Sequence, residues 1–528
     1  MSSTLLTNAM IHTGRTEQEV FGAMRVENGR IAALYDERFP SAPADRTLDL
    51  QGQHVYPCLI DPHVHLLLTV AVMAKGFSLC RITPEGVQPS TLAGVEERLR
   101  SYAAAQKPNA IIACSNYILT AMDCRRMPTR QELDDWCGGR PTVIYNIDGH
   151  STSLSTAMMR LLGMDPEGHS GVLQGEENER AQGRIISRVG QSITPADLAK
   201  GVAEFQNSCA AYGISVVGAL EGNGDDPKDP TTALIVQLAR HFEVGVRLYP
   251  QYTDLKRVLK LRRYMKQPRV GGCGDWEMDG AAGSHSAAFY EPYLDTGTAA
   301  PCYYSQPFVD DLVRRAEAAG YQTASHAIGD AAIERILHAY ECNPTRHLRR
   351  IEHCEFMNDS SFRRIAAGNY ALVMQPGYAW IDQRYLHTYD QYLSPAVRGR
   401  MKLRSLLQAG VCVSGSSDSP VQDLDPWLQM LGMTQFYNSS ESITPFQAFQ
   451  CYTLQAARAL EEEAERGTLE VGKAADFFTA GCDLFALAPQ DIVSFRPSST
   501  WYGGREYQKK KGAVAELAAM MLRPAKKI

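Results

Sequence analysis

The run RAEAAGYQTASHAIGD (315–330) carries the pattern that decides the fold. A helical stretch stops at Gly320, a β-rich stretch follows at once, and that stretch ends on a histidine, His326. Glycine just past a helix takes the left-handed backbone that other residues avoid, so Gly320 reads as a C′ position. The same unit recurs as AAYG before ISVVGAL (210–220), AAG before NYALVMQ (366–375) and QAG before VCVSGSS (408–417), which puts Gly213, Gly368 and Gly410 at C′. Val309, Leu312, Val313 and Ala316 form one apolar stripe ahead of Gly320, and Ile333, Ile336, Leu337 and Tyr340 form another after Asp330. Both have helical spacing.

The runs HVYPCLID (54–61), VGVRLYPQY (244–252), RVGGCGDWEMDG (269–280) and HLRRIEHCEF (347–356) bring the strands to about eight. Strands alternating with helices imply a parallel sheet with crossover helices, and eight such units close a barrel. The expected fold class is therefore α/β, a (β/α)₈ TIM-like barrel over residues 57–65 and 195–465. LLTNAMIHTG (5–14) and AMRVENGRIAALYD (23–36), the latter with an Asn28-Gly29 hairpin turn, read as short strands. GTLEVGKAADFFTAG (467–481) and TWYGGREY (500–507) do the same near the other end. Residues 1–56 and 466–507 are thus expected to form one small split β-sandwich. The segment 66–194 departs from the repeat, with helical stretches at 92–105 and 131–136 and the run PTVIYNIDGHS (141–151), and is expected to be an insertion after the first barrel strand. A helical tail, 508–528, closes the chain.

Bulk properties exclude several classes. With 59 acidic against 53 basic side chains the chain lacks the basic excess of a nucleic-acid binder. Its longest apolar stretches, Leu66 to Ala74 and Ala513 to Leu522, are too short to cross a bilayer. No basic start and apolar core mark a leader, and 13 cysteines without any C-x-x-C pair suit reduced thiols. A cytoplasmic protein is expected, free of membrane and nucleic acid, acting on a small-molecule substrate, alone or as a homo-oligomer. The basic stretch after residue 508 is expected to be a plain surface helix.

Barrel enzymes carry their chemistry at the C-terminal ends of their strands, and the polar clusters fall there. Asp61, His63 and His65 end the first strand, the two histidines at i and i+2 and so on one face of extended chain. His326, His353 and Asp418 end the fifth, sixth and eighth. Together they make a nitrogen-rich, carboxylate-containing cluster suited to a divalent metal, zinc first, with manganese, iron and cobalt as alternatives.

LIDPHVHL (59–66), TASHAIGD (323–330), RRIEHCEF (349–356) and SGSSDSPV (414–421) resemble the metal-site motifs of the amidohydrolase superfamily, in that family's order. NIDGHSTSLSTAMMRLLG (146–163), DWEMDGAAGSHSAAF (275–289) and CYTLQAARALEEEAERGTLEVGKAADF (451–477) are similar to its large-insert, amidohydrolase 3 branch, which includes N-substituted formamide deformylase. The resemblance implies hydrolysis of an amide or similar C–N bond, with His63, His65 and Asp418 holding one ion and His326 and His353 a second where one is present. Asp418 would move the proton as general base and acid, and His353 would serve the chemistry too. Many relatives have a carboxylated lysine four residues before an Asp-Gly pair as a bridge between metals. This chain has Asp275 there. Asp275 is too short to bridge, which leaves Glu277 as the candidate bridge, or no bridge and a single ion on His63, His65, His326 and Asp418. Asp148, His150, Ser284 and His285, polar groups beside glycines, are substrate-pocket candidates, as are Tyr378 and Trp380 after the seventh strand. The alternatives are a heterocycle deaminase and a catalytically silent binding or regulatory homologue. The deaminases resemble one another in a glutamate three residues after the fifth-strand histidine, where this chain has Gly329.

Overall fold

The structure is a computed structural model describing residues 3–83, 86–222, 224 and 228–528. Its centre is two arcs of parallel strands. One pairs β1 (Leu59–Val64), β2 (Ile214–Glu221) and β3 (Gly245–Pro250) in the order β3-β2-β1. The other runs β4 (Arg269–Glu277), β5 (Gln322–Ala327), β6 (Arg349–His353), β7 (Tyr370–Met374) and β8 (Cys412–Gly415), each paired with the next. The strands are largely buried on both faces, as in a sheet covered on both sides. Leu59, Val217 and Val270 pack against the surrounding helices, whereas Ile60, Val216, Leu220 and Tyr249 meet in a separate interior cluster. At one seam β3 lies beside β4. At the other, Asp418 N–H donates to His63 O at 3.0 Å and His65 N–H to Ser419 O at 2.9 Å, next to a parallel bridge between Val64 and Ser419.

Helices Gln306–Ala318 and Asp330–Glu341 bury the two expected stripes completely. Gly213, Gly320 and Gly410 take φ of +80°, +76° and +80°, as helix-ending glycines do. Gly368 does not: its φ of −104° is extended, so the helix Asp359–Ala367 unwinds straight into its strand without a left-handed cap.

Strands from the two ends of the chain share one sheet, in which Phe477–Ala480 lies antiparallel to His54–Pro57. A second sheet joins residues 3–7, 23–27, 30–35 and 46–49, its hairpin turning at Asn28 and Gly29. Within 66–194, helix Leu66–Lys75 packs on helix Pro195–Tyr212 in the outer layer. The departure from the repeat therefore begins after that helix, not at residue 66. Beyond the helix the chain builds a five-stranded sheet in the order 172–174, 151–154, 142–146, 112–117, 77–78, with its own apolar clusters. The chain ends in helix Val514–Met521, and Ile528 is tied back to Tyr264 and Lys266 by backbone hydrogen bonds of 2.7 and 2.6 Å. No described helix is long and apolar enough to cross a membrane.

The contact between helices 66–75 and 195–212 depends on Gly201, since a Cβ there would lie 2.3 Å from Val70 O and 3.0 Å from Ala74 Cβ. Gly201→Ala is expected to cost about 1–3 kcal/mol through forced separation of the two helices. Urea unfolding of the variant against the parent measures it; an unchanged midpoint would show that the helices separate freely.

Candidate metal centre

Because the eight strands run parallel, the residues that end them share one rim. His63 lies within β1, and His65 follows it at the start of helix Leu66–Lys75. Their Nε2 atoms lie 3.0 and 3.1 Å from the same oxygen, Asp418 Oδ1, in the loop after β8. His326 ends β5 and His353 ends β6, their rings 4.4 Å apart, and the His353 ring is 5.1 Å from that of His63. The five side chains expected from sequence are thus gathered at one place.

The outer nitrogen of three of these imidazoles is held by an acceptor. His63 Nδ1 donates to Glu352 Oε2 at 2.7 Å, His353 Nδ1 to Gln375 Oε1 at 2.6 Å, and His326 Nε2 meets Gly280 O at 3.3 Å. Gln375 is oriented by its own amide, which donates to Ser416 Oγ at 2.7 Å. A proton on the outer nitrogen leaves the inner one with a bare lone pair, so His63 and His353 offer Nε2 and His326 offers Nδ1. Asp418 Oδ1 is buried and faces the inner nitrogens of two imidazoles, His63 and His65. Lone pairs turned toward one another and toward a carboxylate suit a cation, and outer acceptors of this kind are the usual supports of metal-ligating histidines.

The electrostatics agree. Burial pushes His326 well below the usual imidazole range, with His353 and His150 adding to it, and burial brings His353 to about 4. Both are neutral donors at neutral pH. Burial acts on His63 in the same sense but is outweighed by Cys273 and Asp418, which raise it and so favour positive charge at its inner nitrogen.

Sequence reasoning missed Cys273, whose Sγ lies 3.5 Å from His63 Nε2, 3.8 Å from His353 Nε2 and 3.9 Å from His326 Nδ1. Regular alternation would put 273, 275 and 277 on one face. Instead β4 bulges: its pairing with β5 shifts between Gly272 and Glu277, and Gly271, Gly272 and Gly274 take φ of +97°, +111° and +60°. Those values, open to glycine and to few other residues, turn Cys273 inward and send Asp275 to the rim, where it accepts from Gly224 N at 2.9 Å and Thr253 N at 3.4 Å. The GGCG run was the available signal, since glycines inside a strand mark bulges. Glu277 lies on the His326 side. Its ligand atom groups with Cys273 and His326, and with His150 and Glu179, but among the described residues not with His63, His65 and Asp418. Its Oε1 accepts from Gly274 N at 2.9 Å, and its buried carboxyl faces that of Glu179.

The remaining pocket candidates divide. Asp148 and His150 reach the site from the inserted sheet; His150 Nδ1 bonds Glu179 at 2.8 Å, and its ring is 5.3 Å from that of His326. Both line the main cavity, about 860 Å³, together with His65, Glu277, His353 and Asp418. Tyr378 lines a smaller recess beside His353. Ser284 stands behind Asp148, donating to it at 2.6 Å, outside the lining of either cavity. His285 faces outward to Asp295 at 2.9 Å, and Trp380 donates to Gln435 at 3.2 Å while packing on the insertion. Neither lines a cavity: a glycine-rich loop and a helix start place them by local turn geometry that residue type does not reveal. Asp61, in the same motif as His63, accepts from Ser417 N at 3.2 Å and His63 N at 3.3 Å, tying β1 to the β8 loop.

Parallel strands alternating with helices, and ending in imidazoles and carboxylates gathered at one place, define a mixed α/β protein with a candidate metal centre. A family model described as the amidohydrolase family matches residues 46–507. The chain belongs to that family. It is 23% identical over 527 residues to the putative amidohydrolase YtcJ of Bacillus subtilis (strain 168), covering 94% of this chain and 97% of the relative. With the N-substituted formamide deformylase of Arthrobacter pascens it shares 24% over 548 residues, covering 96% and 98%. An uncharacterized metal-dependent hydrolase from Pyrococcus horikoshii OT3 superposes with a TM-score of 0.73 at 20% identity, over 93% of this chain and 99% of that one. Family and relatives support a hydrolase, and the fold they share is this same α/β arrangement.

Proposed function

We propose that the chain is a divalent-metal-dependent amidohydrolase that cleaves a C–N bond, of an amide, N-formyl or cyclic amide type, in a small molecule. The observation that carries this reading is the gathering of His63, His65, His326 and His353 with the Asp418 carboxylate and the Cys273 thiol, three of the rings held from outside by an acceptor. In this reading the two arcs close into one (β/α)₈ barrel, supported by the hydrogen bonds joining Asp418 and His65 across the β1–β8 seam. His63, His65 and Asp418 hold one ion, zinc being the best match to a nitrogen-rich set, and His326 and His353 hold a second with Glu277 beside them. The bound metal supplies Lewis acidity toward a carbonyl oxygen and toward water.

The protein's own groups do the rest. Asp418 lines both cavities, so its carboxylate can take a proton from the attacking water and return it to the leaving nitrogen. His353, neutral and held by Gln375, faces the same space. Leu68, Ala71 and Val72 on one side and Ile186 and Val189 on the other give the main cavity apolar walls, which suit a substrate with an apolar group beside the scissile bond. The deformylase named among the relatives makes N-substituted formamides the first compounds to try.

A deaminase is disfavoured at Gly329. Its N–H donates to Asp279 at 2.8 Å, and a Cβ there would lie 2.1 Å from Ala288 O, leaving no room for an acid. Asp330, next in line, pairs with Arg400 at 2.7 Å, away from the imidazoles.

Stripping the purified protein with a chelator is expected to abolish hydrolysis of N-formyl, N-acyl or cyclic-imide compounds, and zinc, cobalt or manganese to restore it. Turnover that survives complete metal removal, or a preparation that neither binds metal nor hydrolyses any member of the panel, would overturn the reading, the latter in favour of a binding homologue.

A further inference from the structure

Cys273 faces imidazoles of both halves of the centre, His63 on one side and His326 and His353 on the other. Its sulfur groups with His63 and His353 in one three-ligand set and with Glu277 and His326 in another, all ligand atoms within 4.8 Å of each other. His63 also belongs to the set with His65 and Asp418. Hydrogen bonding does not account for this placement. A thiol has one weak proton to give, yet the sulfur faces three inner nitrogens whose ring partners are already fixed elsewhere.

Metal geometry does account for it. With zinc–sulfur near 2.3 Å and zinc–nitrogen near 2.0 Å, two ligands of one tetrahedral ion sit roughly 3.6 Å apart. The three sulfur–nitrogen distances, 3.5, 3.8 and 3.9 Å, bracket that separation on both sides of the site. Oxygen and nitrogen ligands on one such ion lie somewhat closer, in keeping with the 3.0 and 3.1 Å between Asp418 Oδ1 and the β1 imidazoles. A second, independent sign is the Glu277 carboxyl, buried in the same cluster and facing the carboxyl of Glu179, an acidic pair that a cation or a shared proton must hold together. The bulge itself is built for this: a Cβ at Gly272 would lie 2.4 Å from Leu220 Cδ2 and one at Gly271 2.0 Å from Ala324 O, so neither position admits a side chain with this backbone. Asp275, two residues on, is turned to the rim and takes no part.

We infer that Cys273 is a metal-bridging ligand, its thiolate shared between an ion held by His63, His65 and Asp418 and one held by His326 and His353. This rests on the metal-dependent reading of the site and deepens it. On binding, the S–H bond gives way to sulfur–metal bonds and the thiol proton passes to solvent. Glu277 is then left as a further ligand or acceptor on the His326 side. A thiolate bridge selects for softer ions, zinc or cobalt over magnesium or calcium.

The test uses the full-length protein, stripped and reloaded with cobalt(II), reading metal content and the absorption spectrum together. Two cobalt ions per chain and a sulfur-to-cobalt charge-transfer band in the near ultraviolet are expected. Cys273→Ser and Cys273→Ala are expected to lose that band and at least one ion while keeping the parent's far-ultraviolet circular dichroism. Two bound ions without the sulfur band, or a band that survives in both variants, would overturn the bridge yet leave a metal-dependent hydrolase standing. One ion with the band would make Cys273 a terminal ligand and also overturn it. A parent chain that takes up no divalent cation would instead overturn the metal reading itself. The parent spectrum decides the question even if neither variant folds.

Discussion

Asp418→Asn is expected to lower kcat/KM by about 10³-fold or more, the size of effect expected when a general acid–base group is lost, while leaving the thermal midpoint close to that of the parent. The substitution keeps the volume and removes the charge. Asp418 has φ of +58°, a left-handed backbone that asparagine tolerates better than almost any residue except glycine. Its N–H would still donate to His63 O, so the β1–β8 seam stays joined. What is lost is an anionic oxygen 3.0 and 3.1 Å from the two β1 imidazoles and the carboxylate that moves the proton. Kinetics on whichever N-acyl compound the parent hydrolyses, with thermal melting and metal content on the same preparation, check this. Turnover within a few-fold of the parent would remove Asp418 from the chemistry.

The second large effect lies beneath the site. Arg350 is fully buried and donates to both oxygens of Glu352, at 2.8 and 2.8 Å, and to Pro62 O at 3.0 Å. Arg350→Met is expected to destabilise the fold by about 3–5 kcal/mol, because it strands the Glu352 charge in the interior. Arg350→Met combined with Glu352→Gln should recover part of that loss, since no charge is then left unpaired. The pair also gives stability a pH dependence with a definite sign. Burial would raise Glu352, but Arg350 and His63 outweigh it and hold the carboxyl at about 2. A folded-state value below the unfolded one means that this contribution is fully present above the unfolded carboxyl range and is lost as pH falls from about 4 toward 2. Urea unfolding at neutral pH and across that acid window, parent against both variants, measures the two effects. Because Glu352 also fixes the His63 ring, the double variant should remain impaired in metal retention even where its stability returns. Full metal retention in it would show that His63 needs no such support.

The rim side chains were legible because each follows a signal local in sequence. A helix stripe, a glycine and an apolar run place His326, and an i, i+2 spacing places His63 and His65, whatever the rest of the chain does. Gly368 shows the limit even there, since it ends its helix in extended backbone. His285 and Trp380 show a larger one. A polar residue beside glycine and an aromatic after a strand share their residue types with pocket-lining positions, yet turn geometry points one at Asp295 and packs the other on the insertion.

From the sequence alone came the parallel α/β repeat, the union of both ends in one sheet and the polar side chains that end the strands, all of which rest on periodicity and spacing within short runs. Only the tertiary structure decided which residue of β4 enters the centre, that Glu352, Gln375 and the Gly280 carbonyl orient its imidazoles, and that the inserted sheet brings His150 and Glu179 to its edge. The reason is physical. Alternation along a strand holds until a bulge adds a residue, and partners from 22 to 289 positions apart meet only when separate elements fix their register against each other.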